Sequence, residues 1–395
     1  MPTYDKIHGA VLLASNTPGV ATGYGTQAKL LVDRMVRHGM KVGVASNYGL
    51  EGRFSEMKTP HGPILHYPRG YKTYCDDVIP TWYEDFKDRF KDRTTALMTL
   101  YDVWVYKDMV FEDTIHAWTP MDHLTPPPRV LEMLRKDNVH PIAMAPHGER
   151  QMREYGIDNV YIPHAIDSTI FKPTKSVMGR PTREFMDIPK DAFLIGIVAA
   201  NKANGHVHRK AVFEQLAAAK LFMDDHPDAY LYLHMEASGV FGGFRLDVLL
   251  KSLGFLEKRV RIADPTALRT GYPDKIVAAL YTSMDVLLNA TYGEGFGLTT
   301  VEAQMCSTPV ITSNWTASQD LVSEDSWKVE GQWFWNESQS AIWKIPSISH
   351  MVESLEEAYE RKGTKSEKSR EFALQFDVEK VWFDRWMPYL QEHFS

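Results

Sequence analysis

Short apolar runs alternate with amphipathic stretches along the chain. His8–Ser15, Lys41–Ser46, Ile64–Tyr67, Ala96–Tyr101, Thr114–Trp118, Pro141–Ala145 and Asn159–Ile162 are short apolar segments of strand length. Nearly continuous apolar runs of this length are the mark of strands covered on both faces of a parallel sheet. Between the first two, Leu30, Leu31, Met35 and Val36 fall on one face of a helix predicted over Thr26–Met40. Lys72–Lys91 is charged, aromatic and helical in character.

A polar, proline-punctuated stretch, Lys172–Pro181, then interrupts the pattern. A second series follows it: strand Phe193–Ala200, helix Ala211–Asp224, and strands Ala229–His234, Val260–Ala263 and Asp285–Asn289. Strands alternating with helices predict an α/β protein of βα units. With 395 residues the chain has room for two domains, each with its own core. The expected division is 1–175, 176–377 and a C-terminal segment, 378–395, with the hinge at 173–182. Val378–His393 is too rich in Trp, Phe, Tyr and Leu for a solvated tail. It packs either on its own domain or back on the first.

The segment after Asn289 carries the strongest chemical signal. Thr291-Tyr-Gly-Glu-Gly-Phe-Gly-Leu leads into a helical stretch to Met305, then into a strand opening at Pro309-Val-Ile. Glycine at 293, 295 and 297 lets the backbone come close to a ligand. A helix beginning there aims unsatisfied N–H groups at an anion such as phosphate. Glu294 lies in the loop and Glu302 one turn into the helix, with seven residues between them. Carboxylates accept hydrogen bonds from hydroxyl groups. Phosphate together with several hydroxyls describes a nucleotide sugar.

This segment resembles the E-x7-E signature of the retaining, family 4-type glycosyltransferases (glycosyl transferases group 1). The resemblance implies a GT-B fold, two Rossmann-like domains facing a central cleft, with the C-terminal helix crossing back to the first. It assigns Glu294 to hydroxyls of the donor sugar and Glu302 to those of the nucleotide ribose. Gly295, Phe296, Gly297 and Leu298 would lie along the sugar and diphosphate. It also implies retention of the donor's anomeric configuration, with the leaving phosphate taking the acceptor's proton.

Residues that follow the other strands complete the expected site, because ligands of open α/β sheets bind at strand carboxyl ends. Gly23, Tyr24 and Gly25 lie in a glycine-containing loop after the first strand, which the family uses to close over the donor phosphates. The same glycines, with Ala28, could be read as a dinucleotide fingerprint. However, the loop is long, and the second strand ends in Ser46-Asn47 with no acid for a ribose. Arg209 and Lys210 precede the helix of the second series and suit a diphosphate leaving group. Lys210 matches the family's lysine. The family's arginine sits nearer the strand end, where Asn201 and Lys202 stand, so Lys202 and Arg209 are both candidates for the second cation. Asp122 and His123 follow the strand ending at Trp118, on the expected acceptor side. Asp122 could hydrogen-bond an acceptor hydroxyl, act as a base, or simply cap a turn. His164, in Tyr161-Ile-Pro-His, could contact the diphosphate or fill the turn.

Composition and charge narrow the partners. The net charge is −7, and residues 1–175 carry 21 Lys+Arg against 21 Asp+Glu, so the acidity lies in the second part. That balance does not favour a strongly basic nucleic-acid binder. Transfer to hydroxymethylated pyrimidines in DNA, as in viral enzymes of this kind, remains an alternative, as does a non-catalytic nucleotide-sugar binder. Two cysteines form no disulfide framework, the N-terminus has no signal-peptide shape, and no apolar run has membrane-spanning length. A cytoplasmic setting is expected. No Asp-x-Asp pair stands at a strand end, so no essential metal or other cofactor is expected, with the nucleotide sugar (UDP- or GDP-linked) as co-substrate. The acceptor is left open among glycan, protein, small molecule and modified DNA.

Overall fold

Strands buried on both faces dominate the computed structural model, which describes residues 6–49, 52–203 and 205–394. The chain forms two compact units. One comprises the residues up to Met121, Thr125–Ala165 and the segment from Val378; the other comprises Asp122–Leu124 and Ile166–Asp377.

In the first unit, β1 (Gly9–Ser15), β2 (Lys41–Ser46), β3 (Ser55–Thr59), β4 (Gly62–Tyr67), β5 (Thr94–Leu100), β6 (Ile115–Thr119), β7 (Val139–Ala143) and β8 (Val160–Tyr161) form one sheet. Their order is β3-β4-β2-β1-β5-β6-β7-β8, parallel except for the β3–β4 pair. Every residue of β1 is buried, as its unbroken apolar run requires.

The C-terminal segment belongs to this unit. It runs as helix Val378–Val381, a π-helical turn Trp382–Trp386 and helix Met387–Phe394. Its apolar side chains account for its position. Trp382 is fully buried with its ring 5.0 Å from that of His38, and Trp386 meets Trp118 edge-on at 4.9 Å. Glu379 bridges Arg34 (2.6 Å) and Arg37 (2.7 Å) of the helix Gly23–Arg37.

The second unit contains a short ladder, β9 (Ser176–Val177) with β10 (Arg180–Pro181), and then the main sheet. That sheet consists of β11 (Phe193–Val198), β12 (Ala229–His234), β13 (Val260–Ile262), β14 (Val286–Asn289), β15 (Val310–Ser313) and β16 (Trp327–Val329). All its pairs are parallel, in the order β13-β12-β11-β14-β15-β16. This is the doubly wound order 3-2-1-4-5-6, whose direction reverses between β11 and β14. A hairpin, β17 (Gly331–Asn336) and β18 (Ala341–Pro346), follows.

The division falls ten residues before the expected boundary at 175/176. Ile166 donates its amide to the Phe376 carbonyl (2.9 Å), and the Thr174 amide reaches the Thr282 hydroxyl (3.0 Å), so 166–175 pack with the second unit. Asp122–Leu124 do the same, although they follow a first-unit strand. No helix among the described residues is long and apolar enough to cross a membrane.

Beneath the C-terminal segment, His116 stacks on His140 (5.2 Å) and meets His393 edge-on, and its Nδ1 lies 2.5 Å from the Tyr389 hydroxyl. Burial first, then the two neighbouring imidazoles, push the His116 pKa from 6.5 down to about 3. Between those values the unfolded chain binds a proton that the folded chain refuses. Stability is therefore complete above about pH 6.5 and is lost as pH falls, at roughly 1.4 kcal/mol per unit for this group. The unfolding midpoint should drop between pH 7 and pH 5, and drop less steeply in His116→Asn. Equal slopes in the two proteins would refute the assignment.

Candidate functional site

The reversal of strand order in the second unit places two loops side by side, one after β11 and one after β14. Each carries the charged residues singled out by sequence. The β14 loop passes through Glu294, whose side chain is buried (5% exposed). The β11 loop ends at Arg209 and Lys210, just before the helix Val212–Asp225. The two loops are tied together by the Tyr292 amide, which donates to the Arg209 carbonyl (2.8 Å).

Their side chains meet. Lys210 Nζ lies 2.5 Å from Glu294 Oε1, and Arg209 donates to Glu294 Oε2 at 3.2 Å and to the Gly293 carbonyl. Burial raises the Glu294 pKa, but Lys210 and Arg209 lower it more, so the group stays below its ordinary value and ionised. Burial also pulls the Lys210 ammonium below its usual pKa, opposed by Glu294 and reinforced by Arg209. The backbone holds this carboxylate in place: the Glu294 amide donates to the Thr316 hydroxyl (3.1 Å), and the Ala317 amide to the Glu294 carbonyl (3.2 Å).

Asp122 and His123 join the same cluster. Asp122 Oδ2 is 3.7 Å from Arg209 Nε, and Asp122 Oδ1 is 2.7 Å from His123 Nδ1. Burial raises the Asp122 pKa, yet His123 and Arg209 outweigh it and bring it to about 2. Three contacts explain why this short segment packs with the second unit. The His123 ring stacks on Trp343 (4.5 Å), Trp343 Nε1 donates to the Asp122 carbonyl (2.7 Å), and the Leu124 amide donates to Ile342 (2.8 Å). The expectation that Asp122 and His123 belong to the first domain is therefore corrected.

The helix Leu298–Met305 begins where the glycine pattern predicts. Gly297 precedes it with φ 99, a left-handed conformation that a side chain disfavours. Gly295 is buried in the loop, and Leu298 opens the helix. Phe296 turns its ring inward against Phe376 (5.6 Å), so this residue offers its backbone rather than its ring. Glu302 accepts from the Tyr281 hydroxyl (2.9 Å). Burial raises its pKa to about 7, with the Tyr281 bond pulling down and Asp274 pushing up. Tyr281, Thr316 and Trp343 were not singled out by sequence, since nothing in their local pattern distinguishes them from core.

Within the second unit, Lys202 makes no hydrogen bond or ion pair with this cluster among the described residues, and the remaining candidates belong to the first unit. Lys202 is exposed on an isolated bridge to Gly242. Its neighbour Asn201 is buried and pins the following loop through Glu236 (2.8 Å) and Phe244 (2.7 Å). Of the two cations considered beside Lys210, geometry thus brings Arg209 to Glu294. Gly23, Tyr24 and Gly25 are in the first unit, and they form the first turn of a helix rather than a loop. The Thr22 side chain caps that turn by accepting from Gly25 (3.0 Å). Tyr24 meets Tyr101 (5.5 Å) and His164 (6.3 Å) edge-on. His164 is buried against Trp118 at 4.6 Å, and burial pushes its pKa down to about 3, leaving it neutral.

Comparison with known proteins defines the class. An α,α-trehalose-phosphate synthase (UDP-forming) from Burkholderia vietnamiensis superposes with a TM-score of 0.68 at 10% identity, over 98% of this chain and 97% of that one. Sucrose-phosphate synthase from Thermosynechococcus elongatus superposes with a TM-score of 0.74 at 17% identity, over 97% and 99%. The architecture is that of the GT-B glycosyltransferases. Within that class, residues 250–342, which include the Glu294–Glu302 segment, match the family model for glycosyl transferases group 1. D-inositol 3-phosphate glycosyltransferase of Corynebacterium jeikeium (strain K411) is 29% identical over 157 residues, 38% of this chain and 34% of that protein. The chain thus spans about a third of the length of the curated relatives it matches.

A Cβ on Gly293 would lie 1.9 Å from the Asp122 carbonyl oxygen and 2.8 Å from the Trp343 ring. Gly293→Ala must therefore displace the Asp122 segment, and denaturant unfolding should show a loss of about 1–3 kcal/mol. An unchanged stability would mean that Asp122 is not locked against this loop.

Proposed function

We propose that this protein is a retaining glycosyltransferase that moves a hexosyl group from a nucleoside diphosphate sugar, UDP-linked in the first instance, to a hydroxyl of a phosphorylated sugar or polyol. The observation that carries this reading is the buried Glu294 carboxylate clamped by Lys210 and Arg209 at the strand-order reversal, next to the N-terminus of the helix Leu298–Met305. The acceptor class is supported by the names of relatives and structural neighbours, which act on inositol 3-phosphate or make sucrose phosphate and trehalose phosphate.

In this reading Arg209, Lys210 and the amides of Gly295–Leu298 neutralise the departing diphosphate. Glu294 keeps lone pairs beyond those used by its two cations, and these accept hydroxyls of the donor sugar. Glu302 accepts the ribose hydroxyls. The bond from the anomeric carbon to phosphate oxygen breaks as the bond to the acceptor oxygen forms on the same face, and the acceptor proton passes to the leaving phosphate. Asp122 is a poor base for that proton, because His123 and Arg209 hold its carboxyl below the usual carboxylate range, farther from neutrality. It serves instead to orient Arg209 and His123.

Crossing UDP-, GDP- and ADP-sugars with inositol and hexose phosphates, and scoring nucleotide release, should reveal at least one productive pair whose product keeps the donor's anomeric configuration by NMR. Failure of every pair, or an inverted product, would overturn the proposal. The raised pKa of Glu302 gives a second test. Hydroxyl donors favour its carboxylate, so UDP should bind most tightly above pH 7 and weaken as pH falls below it, by up to about tenfold per unit. Glu302→Gln should remove that component of the pH dependence; the same slope in both proteins would argue against Glu302 as a ligand.

A further inference from the structure

A cavity of about 190 Å³ in the second unit is lined by His208, Phe213, Glu214, Phe244, Tyr292 and Phe334, among others, and not by Glu294, Glu302, Arg209 or Lys210. A cavity of about 150 Å³ holds a single six-membered ring, and drug-sized ligands occupy roughly 300–1,000 Å³. The space suits one small ring.

Its walls define the chemistry. Phe244 and His208 stack on each other at 3.8 Å and form one thick plate. Tyr292 and Phe334 meet at 5.5 Å and 59° on another side. At 59° the Tyr292 and Phe334 rings are not the parallel pair that would sandwich a flat base, and His208 and Phe244 at 3.8 Å leave no gap between them. The cavity's acidic group is Glu214, whose Oε1 accepts from the Tyr292 hydroxyl (2.7 Å). A carboxylate here repels phosphate and attracts hydroxyl donors. Burial lowers the His208 pKa, opposed by Glu214.

We propose that this pocket is a binding site for one neutral pyranose ring, distinct from the donor site. The weakly positive C–H face of the sugar lies on the electron-rich aromatic faces, and its hydroxyls donate to Glu214. An anionic sugar phosphate is refused unless its phosphate points out of the pocket. The proposal concerns binding alone and does not require transfer activity.

Saturation-transfer NMR titration of the full chain with methyl α-D-glucopyranoside, in excess UDP to fill the nucleotide site, tests it, and variants of the pocket's own residues assign the signal. The glycoside ring protons should receive saturation, or those of its galacto or manno epimer should. The affinity should fall by about tenfold in Glu214→Gln, the loss of a hydrogen bond to a charged acceptor. It should also fall in Phe213→Ala, a rim side chain 42% exposed whose removal takes little packing from the core. No transfer to any of the three glycosides, or affinity unchanged in both variants, would overturn the proposal. Guanosine binding that both variants abolish, with no glycoside signal, would assign the pocket to a base and also overturn it.

Discussion

A buried carboxylate held between two cations organises the second unit. Glu294 alone would be costly, since an ionised group removed from water must be paired and hydrogen-bonded to persist. Lys210 and Arg209 supply the pairing, and both come from the single loop that follows β11. The pairing thus fixes two loops that are far apart in sequence, and Arg209 extends it to Asp122 and His123. Removing one partner of such a buried set leaves an uncompensated charge, at a cost of about 3–5 kcal/mol. Stability and the proposed ligand chemistry therefore draw on the same side chains.

Much of this architecture is legible in the sequence for a simple reason. Parallel strands covered on both faces must be continuously apolar, and β1, β2, β11, β12 and β14 fall within a residue or two of their apolar runs. The helix Leu298–Met305 is marked by its glycines. The two-domain α/β reading agrees with the solved GT-B structures, which superpose over nearly the whole chain.

The parts that were not legible depend on long-range packing. Asp122 and His123 join the second unit because of Trp343 and Ile342, residues that no local pattern links to them. The β17–β18 hairpin escaped notice because its outward residues, Trp333 (73% exposed) and Trp335 (54%), break the polar-out alternation of a solvated hairpin. Lys202 and Arg209 look equivalent in sequence. Only folding reveals that Asn201 is consumed in pinning a loop while Arg209 reaches Glu294. Gly23–Gly25 read as loop because glycine is a weak helix former, yet the Thr22 cap starts the helix there.

The central claim is that the cations clamping Glu294 are the ones that meet the nucleotide's diphosphate. Calorimetric affinity for UDP in Lys210→Met and Lys202→Met, each compared with the unaltered protein, tests it most directly. The account predicts at least a tenfold loss for Lys210→Met, about 1.4 kcal/mol, and little change for Lys202→Met. Equal losses in the two variants, or a loss confined to Lys202→Met, would contradict it.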